Sequence, residues 1–204
     1  MSQHPVFARF WSRISGTVGS DRQRSELLAG LSGRVIEVGA GDGRNFRHYP
    51  AAVSEVLAIE PEPYLRRLAM EAAAGVPAPI TVLDGTAEEL PAEDGAFDHV
   101  ISSLVLCSVS HQGRALAELH RVLRSGGELR FFEHVLAERP LGRAVQGGLD
   151  GSGIWPRLGG GCHLSRDTVA AIVAGGFTVE RVRRFSSGPG DLGLPFVLGI
   201  ARRG

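Results

Sequence analysis

A chain of 204 residues with 22 basic and 22 acidic side chains has no net field with which to gather phosphate backbones, which sets long nucleic acid aside as a partner. Its 43% hydrophobic and 22% charged residues make a soluble globular mixture, enough for one full core and short for two. No run of about 18 apolar residues occurs and the N-terminus lacks a basic segment leading into an apolar one, so a cytoplasmic protein without integral membrane association is expected. Two cysteines, Cys107 and Cys162, make neither a disulfide scaffold nor a metal site and are expected as reduced thiols.

In chain order, Phe7, Phe10, Trp11 and Ile14 stand at helical spacing, which predicts an amphipathic helix whose aromatic stripe packs on the core or closes over a ligand. Residues 1–30 are therefore set apart as an N-terminal helical lid and 31–204 as one α/β domain. Within the domain, short β-branched runs predict strands over 35–38, 55–59, 80–83, 97–102 and 128–133. Crossover helices are expected over 41–49 and 63–74, the pattern of a doubly wound, mostly parallel sheet with helices on both faces. A further helix over about 113–123 is expected to stop at Ser125-Gly126-Gly127, where glycine supplies a left-handed cap. The seven glycines between positions 147 and 161 predict an irregular stretch within a cap insertion at about 136–165. Runs over 178–185 and 196–201, joined by Ser186-Ser187-Gly188-Pro189-Gly190-Asp191, predict an antiparallel C-terminal hairpin and bring the strand total to seven.

The most informative stretch is Val35-Ile36-Glu37-Val38-Gly39-Ala40-Gly41-Asp42-Gly43-Arg44-Asn45. Gly39 permits a tight turn out of the first strand, Gly41 lets a ligand approach the backbone without meeting a β-carbon, and Gly43 lets a following helix start close to the strand. Glu60 ends the second strand 21 residues after Gly39, where a carboxylate can accept from both ribose hydroxyls. The glycine spacing is G-x-G-x-G with the acid Glu37 before it, whereas a dinucleotide site reads G-x-G-x-x-G. A pyrophosphate wants a turn free of negative charge, and a cationic sulfonium tolerates Glu37 and Asp42. An NAD-linked oxidoreductase is accordingly disfavoured.

This loop resembles motif I of the class I S-adenosylmethionine-dependent methyltransferases, of the broad group that includes ubiquinone-biosynthesis enzymes. Asp94-Gly95-Ala96-Phe97-Asp98-His99-Val100 with Leu119-His120-Arg121-Val122-Leu123-Arg124-Ser125-Gly126-Gly127 is similar to a later signature of that family. Ser103-Leu104-Val105-Leu106-Cys107-Ser108-Val109, Phe132-Glu133-His134-Val135 and Gly161-Cys162-His163-Leu164-Ser165-Arg166 resemble the alkyl-thiol methyltransferases of animal microsomes. The resemblance implies S-adenosyl-L-methionine as cofactor, S-adenosyl-L-homocysteine as product, and a small-molecule methyl acceptor: a thiol, a phenol or quinone-like ring, or a lipid. It implies cofactor contacts at Glu37, Gly39, Ala40, Gly41, Gly43, Asn45, Glu60 and Pro61. It implies others at Gly85, Thr86, Ala87 and Glu88 beside adenine, and at Ser103 and Leu104 beside the methionine portion. Thr86 stands where that family commonly has Asp, and its hydroxyl is the weaker acceptor.

Methyl transfer is an in-line displacement that gains from positioning and from exclusion of water. An acceptor that must lose a proton gains from a base, and His134 and His163 are the catalytic candidates beside the reading of each as a structural histidine. The alternative function is a non-catalytic adenosylmethionine-binding sensor that passes a conformational change to a partner protein.

Overall fold

The computed structural model describes residues 21–187 and 194–204, so the predicted helix at 7–14 lies outside the described residues. The elements are α1 (Asp21–Leu28), β1 (Gly33–Val38), β2 (Val53–Ile59), α2 (Pro63–Ala74), β3 (Ile80–Leu83), β4 (Phe97–Ser103) and α3 (Gln112–Val122). They continue with β5 (Leu123–His134), α4 (Pro140–Gly151), α5 (Ile154–Leu158), α6 (Thr168–Ala174), β6 (Phe177–Ser187) and β7 (Leu194–Arg203).

The seven strands form one sheet in the order β3-β2-β1-β4-β5-β7-β6. β1 to β5 run parallel, and β7 pairs antiparallel with both β5 and β6, as the C-terminal hairpin predicts. The order reverses between β1 and β4, and their carboxyl ends are where an open parallel sheet leaves a crevice. Apolar runs such as Val35-Ile36 and Val100-Ile101 are wholly buried because both faces are covered. On one face Leu116, Leu119 and Val122 of α3 and Ile172 of α6 meet Ile36, Val100 and Phe131. On the other, Leu27 and Leu28 of α1, Phe46 of the loop after β1 and Ala69 of α2 meet Val35, Val56 and Phe132. α2 starts at Pro63 with the Glu62 carboxylate accepting from Leu65 N at 2.8 Å, a side-chain N-cap.

Three expectations need correction. The stretch 41–49 is not a crossover helix; only the single 3-10 turn Phe46–His48 forms. Gly41 and Gly43 sit at φ +60° and +78°, and Asn45 and Tyr49 turn back to bond Glu37, so the chain there wraps a buried carboxylate. The helix before β5 is not capped by glycine: it ends at Val122 and Leu123 passes straight into strand pairing with Phe97. Gly126, at φ +73°, instead serves an excursion of the chain between the pairs Phe97–Leu123 and His99–Glu128.

The stretch 147–161 is not mostly irregular either, since α4 and α5 occupy most of it. Helix-interior glycine costs about 1 kcal/mol each, and docking at both ends of α4 overcomes that cost. The Gln146 amide accepts from Ala137 N at 2.7 Å and donates to the Val135 carbonyl at 3.3 Å. The Asp150 carboxylate accepts from Leu164 N at 2.9 Å and Ser165 N at 2.8 Å.

Candidate functional site

A small hollow, open to solvent, lies at the carboxyl ends of β1 and β4. Glu37, Gly39, Ala40, Gly41 and Asn45 form one side and Ser103 and Leu104 the other, all of them residues singled out from the sequence. Arg24, Asp42 and Arg44 complete the lining.

The three glycines do separate work. A β-carbon on Gly39 would stand 2.5 Å from a Val105 methyl, so its absence lets the turn after β4 close on the loop. At Gly43 it would meet the Phe46 ring and the Ala72 methyl, at 2.8 and 2.9 Å. That position therefore fits the chain against α2, rather than opening a helix as the sequence suggests. At Gly41 nothing lies within 4 Å: the missing β-carbon faces empty space. Gly41 is thus a bare stretch of backbone on which a flat or extended ligand can rest.

The Glu60 carboxylate closes the β2 side of this loop. It is 5% exposed, and its two oxygens accept from Gly41 N at 2.8 Å and Glu62 N at 2.9 Å. Burial pushes its pKa up while the two amide bonds pull it down. Each oxygen keeps a second lone pair for a hydroxyl donor. Pro61 follows directly, its carbonyl taking a bond from Arg66.

Beneath the hollow, Glu37 is 1% exposed and accepts from the Tyr49 hydroxyl and from Asn45 Nδ2, both at 2.7 Å. Burial raises its pKa to about 7, against the pull of these two bonds and of Arg24. Arg24 Nη1 donates to Asn45 Oδ1 at 2.8 Å, which ties α1 to the loop. No motif marks Arg24, and its spacing to Leu27 and Leu28 reads only as helix.

On the opposite wall Leu104 has φ +62°, the only non-glycine positive φ among the described residues. This conformation costs about 1 kcal/mol and is held by its surroundings. Leu104 N donates to the Phe132 carbonyl at 2.7 Å. The fully buried Glu133 accepts from Ser102 Oγ at 2.7 Å, Val105 N at 3.1 Å and Cys107 N at 3.3 Å. Glu133 is not among the residues singled out from the sequence; an acid directly after the apolar pair Phe131-Phe132, near the carboxyl end of the fifth strand, is the signal that finds it.

Other predicted residues stand apart from the hollow's lining. Gly85 packs on Ile59 and Pro91, Ala87 is buried in the core, and Thr86 bridges Glu89. The Glu88 carboxylate accepts from Ser110 N at 2.8 Å and His111 N at 3.3 Å, which braces the entry to α3. His134, at the end of β5, is 3% exposed, edge-on to Phe196, with both ring nitrogens lacking a hydrogen-bond partner. Burial drops its pKa to about 4. His163 is partly exposed, its amide donating to the Cys107 carbonyl at 2.8 Å; desolvation and Arg166 lower its pKa.

A bare glycine cradle, a buried carboxylate beside it with lone pairs to spare, and a second carboxylate under the loop fit a sulfonium nucleoside. The chain belongs to the class I S-adenosylmethionine-dependent methyltransferases, with S-adenosyl-L-methionine as the cofactor of the class. The methyltransferase-domain family model matches residues 36–131.

Among curated relatives, a human thiol S-methyltransferase, TMT1A, is 34% identical over 166 residues, covering 78% of this chain and 67% of the relative. A mouse thiol S-methyltransferase, TMT1B, is 36% identical over 148 residues, covering 69% of this chain and 59% of the relative. The chain thus spans about three fifths to two thirds of the length of these proteins. In fold, a geranyl diphosphate methyltransferase solved in complex with S-adenosylmethionine superposes with a TM-score of 0.71 at 14% identity, covering 95% of this chain and 87% of that one.

Proposed function

We propose that this protein transfers a methyl group from S-adenosylmethionine to a small-molecule thiol. When bound, the cofactor supplies an electrophilic methyl carbon on a sulfonium. The chain's own residues then have three tasks. Gly39, Ala40 and Gly41 offer backbone to the nucleoside, and Glu60 accepts from the ribose hydroxyls. Glu37, Asn45 and Arg24 carry the charge pattern facing the methionine portion, with Ser103 and Leu104 closing the opposite wall. The cap at about 136–165 keeps water from the reacting atoms.

The observation that carries the choice of acceptor is the protonation chemistry of the two candidate histidines. His134 is held as a neutral, feeble base with a pKa of about 4, and the pKa of His163 is also lowered. A phenol or amine acceptor needs a competent base, whereas a thiol ionises near pH 8.5 and attacks as a good nucleophile with little help. His134 then serves as a neutral wall or weak hydrogen-bond partner to the acceptor. The names of the human and mouse relatives support the same acceptor class.

The test pairs calorimetry with turnover. Isolated protein should bind S-adenosylmethionine and form S-adenosylhomocysteine with simple alkyl thiols in preference to phenols and amines. Cofactor binding without turnover on any acceptor would favour the sensor reading instead.

A further inference from the structure

Cys107 lies in the turn that follows β4, and Cys162 lies beyond α5 where the cap returns to the domain. All of α3, β5, α4 and α5 separate them in sequence, yet the two segments are pressed together. His163 N donates to the Cys107 carbonyl at 2.8 Å, and a β-carbon on Gly161 would stand 2.9 Å from the Ser108 carbonyl oxygen. The two thiols lie close enough for each to shift the other's ionisation. Arg166 reinforces the junction, donating to the carbonyls of Leu106 at 2.9 Å and Val109 at 2.8 Å.

The two sulfurs are not equivalent. Cys107 is buried, whereas Cys162 is partly exposed. The neighbouring Cys107 thiol holds the Cys162 pKa below the ordinary thiol value, and burial counts against this. The Trp155 indole, beside Cys162, pulls in the same direction as the Cys107 thiol. The Cys107 thiol is correspondingly pushed up, first by the Cys162 thiol beside it and then by burial. A partly exposed, more acidic thiol backed by a buried one is the arrangement of an attacking and a resolving cysteine.

We propose that Cys107 and Cys162 form a reversible oxidation site, a dithiol that closes to an intramolecular disulfide under peroxide and clasps the cap to the turn after β4. The Cys162 thiolate attacks one oxygen of hydrogen peroxide, the O–O bond breaks, and hydroxide leaves, giving a sulfenic acid. The Cys107 sulfur then displaces the hydroxyl group; the S–S bond forms and the Cys107 proton leaves with the hydroxyl as water. Both sulfurs are oxidised, one peroxide is reduced, and a dithiol reductant reverses the change. The pair stands outside the residues that line the hollow, so this inference is independent of the acceptor's identity.

The experiment treats the folded protein with stoichiometric hydrogen peroxide, then denatures it and blocks free thiols with an alkylating reagent. The expected result is a monomer lacking both alkyl groups, restored by dithiothreitol, with a Cys107 peptide linked to a Cys162 peptide in a nonreducing digest. Cys107→Ser should arrest the reaction at a sulfenic acid on Cys162, trapped by dimedone, while Cys162→Ser should leave Cys107 alkylated as in untreated protein. Two free thiols after treatment, sulfinic acid on Cys162 beside a free Cys107, or linkage only between two chains would each overturn the proposal. Calorimetry with S-adenosylmethionine on the reduced protein separates these outcomes from a failure of the methyltransferase reading.

Discussion

The Glu60 carboxylate accepts the Gly41 amide at 2.8 Å, so the end of β2 fixes the loop that leaves β1. One carboxylate thereby shapes the backbone cradle and, in the function proposed above, would also take the sugar hydroxyls at its edge. The two functions can be separated, because a glutamine keeps an oxygen for the amide but loses the charge that strengthens a hydroxyl bond.

Glu60→Ala should weaken S-adenosylmethionine binding by about 1–3 kcal/mol, and Glu60→Gln by less, through lost charge-assisted hydrogen bonds. Gly41→Val should weaken it at least as much. There the new side chain fills the empty space above the loop and must adopt φ +60°, which β-branched residues avoid. Calorimetry on folded variants checks both. Unchanged affinity in the pair would mean that the nucleoside does not rest here.

Glu133 is a second carboxylate whose role is to hold backbone. Replacing it by alanine strands the Ser102 hydroxyl and the Val105 and Cys107 amides in a buried site. The expected loss is about 2–4 kcal/mol of folding stability, and Glu133→Gln should recover part of it. Urea unfolding measures this. A fully stable Glu133→Ala variant would show that water replaces the carboxylate without cost. Because the same turn carries Leu104 at φ +62°, the alanine variant should also lose cofactor affinity.

His134 predicts an acid-side weakness. Its folded pKa of about 4 lies below the ordinary 6.5, so the folded state resists taking up a proton that the unfolded chain accepts. The stability it contributes is complete above pH 6.5 and is lost as the pH falls through 4, by about 3 kcal/mol. His134→Leu, which keeps an apolar partner for Phe196, should flatten this loss. The comparison is urea unfolding of both proteins between pH 7 and 4.5, and parallel curves would contradict it.

What the sequence made legible was what repeats or what glycine must do. The five parallel strands and the hairpin follow from alternating β-branched runs, and the G-x-G-x-G loop after β1 marks the hollow because Gly41 leaves its space empty. The stretch 41–49 misled because its spacing suits a helix while three side chains, Glu37, Asn45 and Tyr49, find one another instead. The glycines of α4 misled for the opposite reason: local propensity argues against a helix that Gln146 and Asp150 secure through bonds to Ala137 and Leu164 outside it. Arg24 was illegible, since nothing in α1 announces that one of its turns reaches an asparagine on the loop. Tertiary hydrogen bonds decided each of these, and no window of neighbouring residues contains them.

Glu37 carries the opposite pH sign to His134, which is why each needs its own variant. Burial lifts the Glu37 pKa from 4.5 to about 7, so between those values the folded state holds a proton that the unfolded chain has released. Its contribution is fully present below pH 4.5 and is lost as the pH rises through 7, where the folded protein must bury a charge. Glu37→Gln removes that charge, so its stability relative to the parent should rise from pH 5 to pH 8, whatever offset the altered bonds to Tyr49 and Asn45 impose. Ligand binding should move the other way. A cationic sulfonium stabilises the ionised carboxylate below it, so the parent protein's affinity for S-adenosylmethionine should increase across the same interval, and Glu37→Gln should remove most of that increase. Chemical denaturation and calorimetry at matched pH values measure both slopes. A stability difference that stays flat would place the Glu37 proton outside this range, and a flat affinity would detach Glu37 from the cofactor's charge.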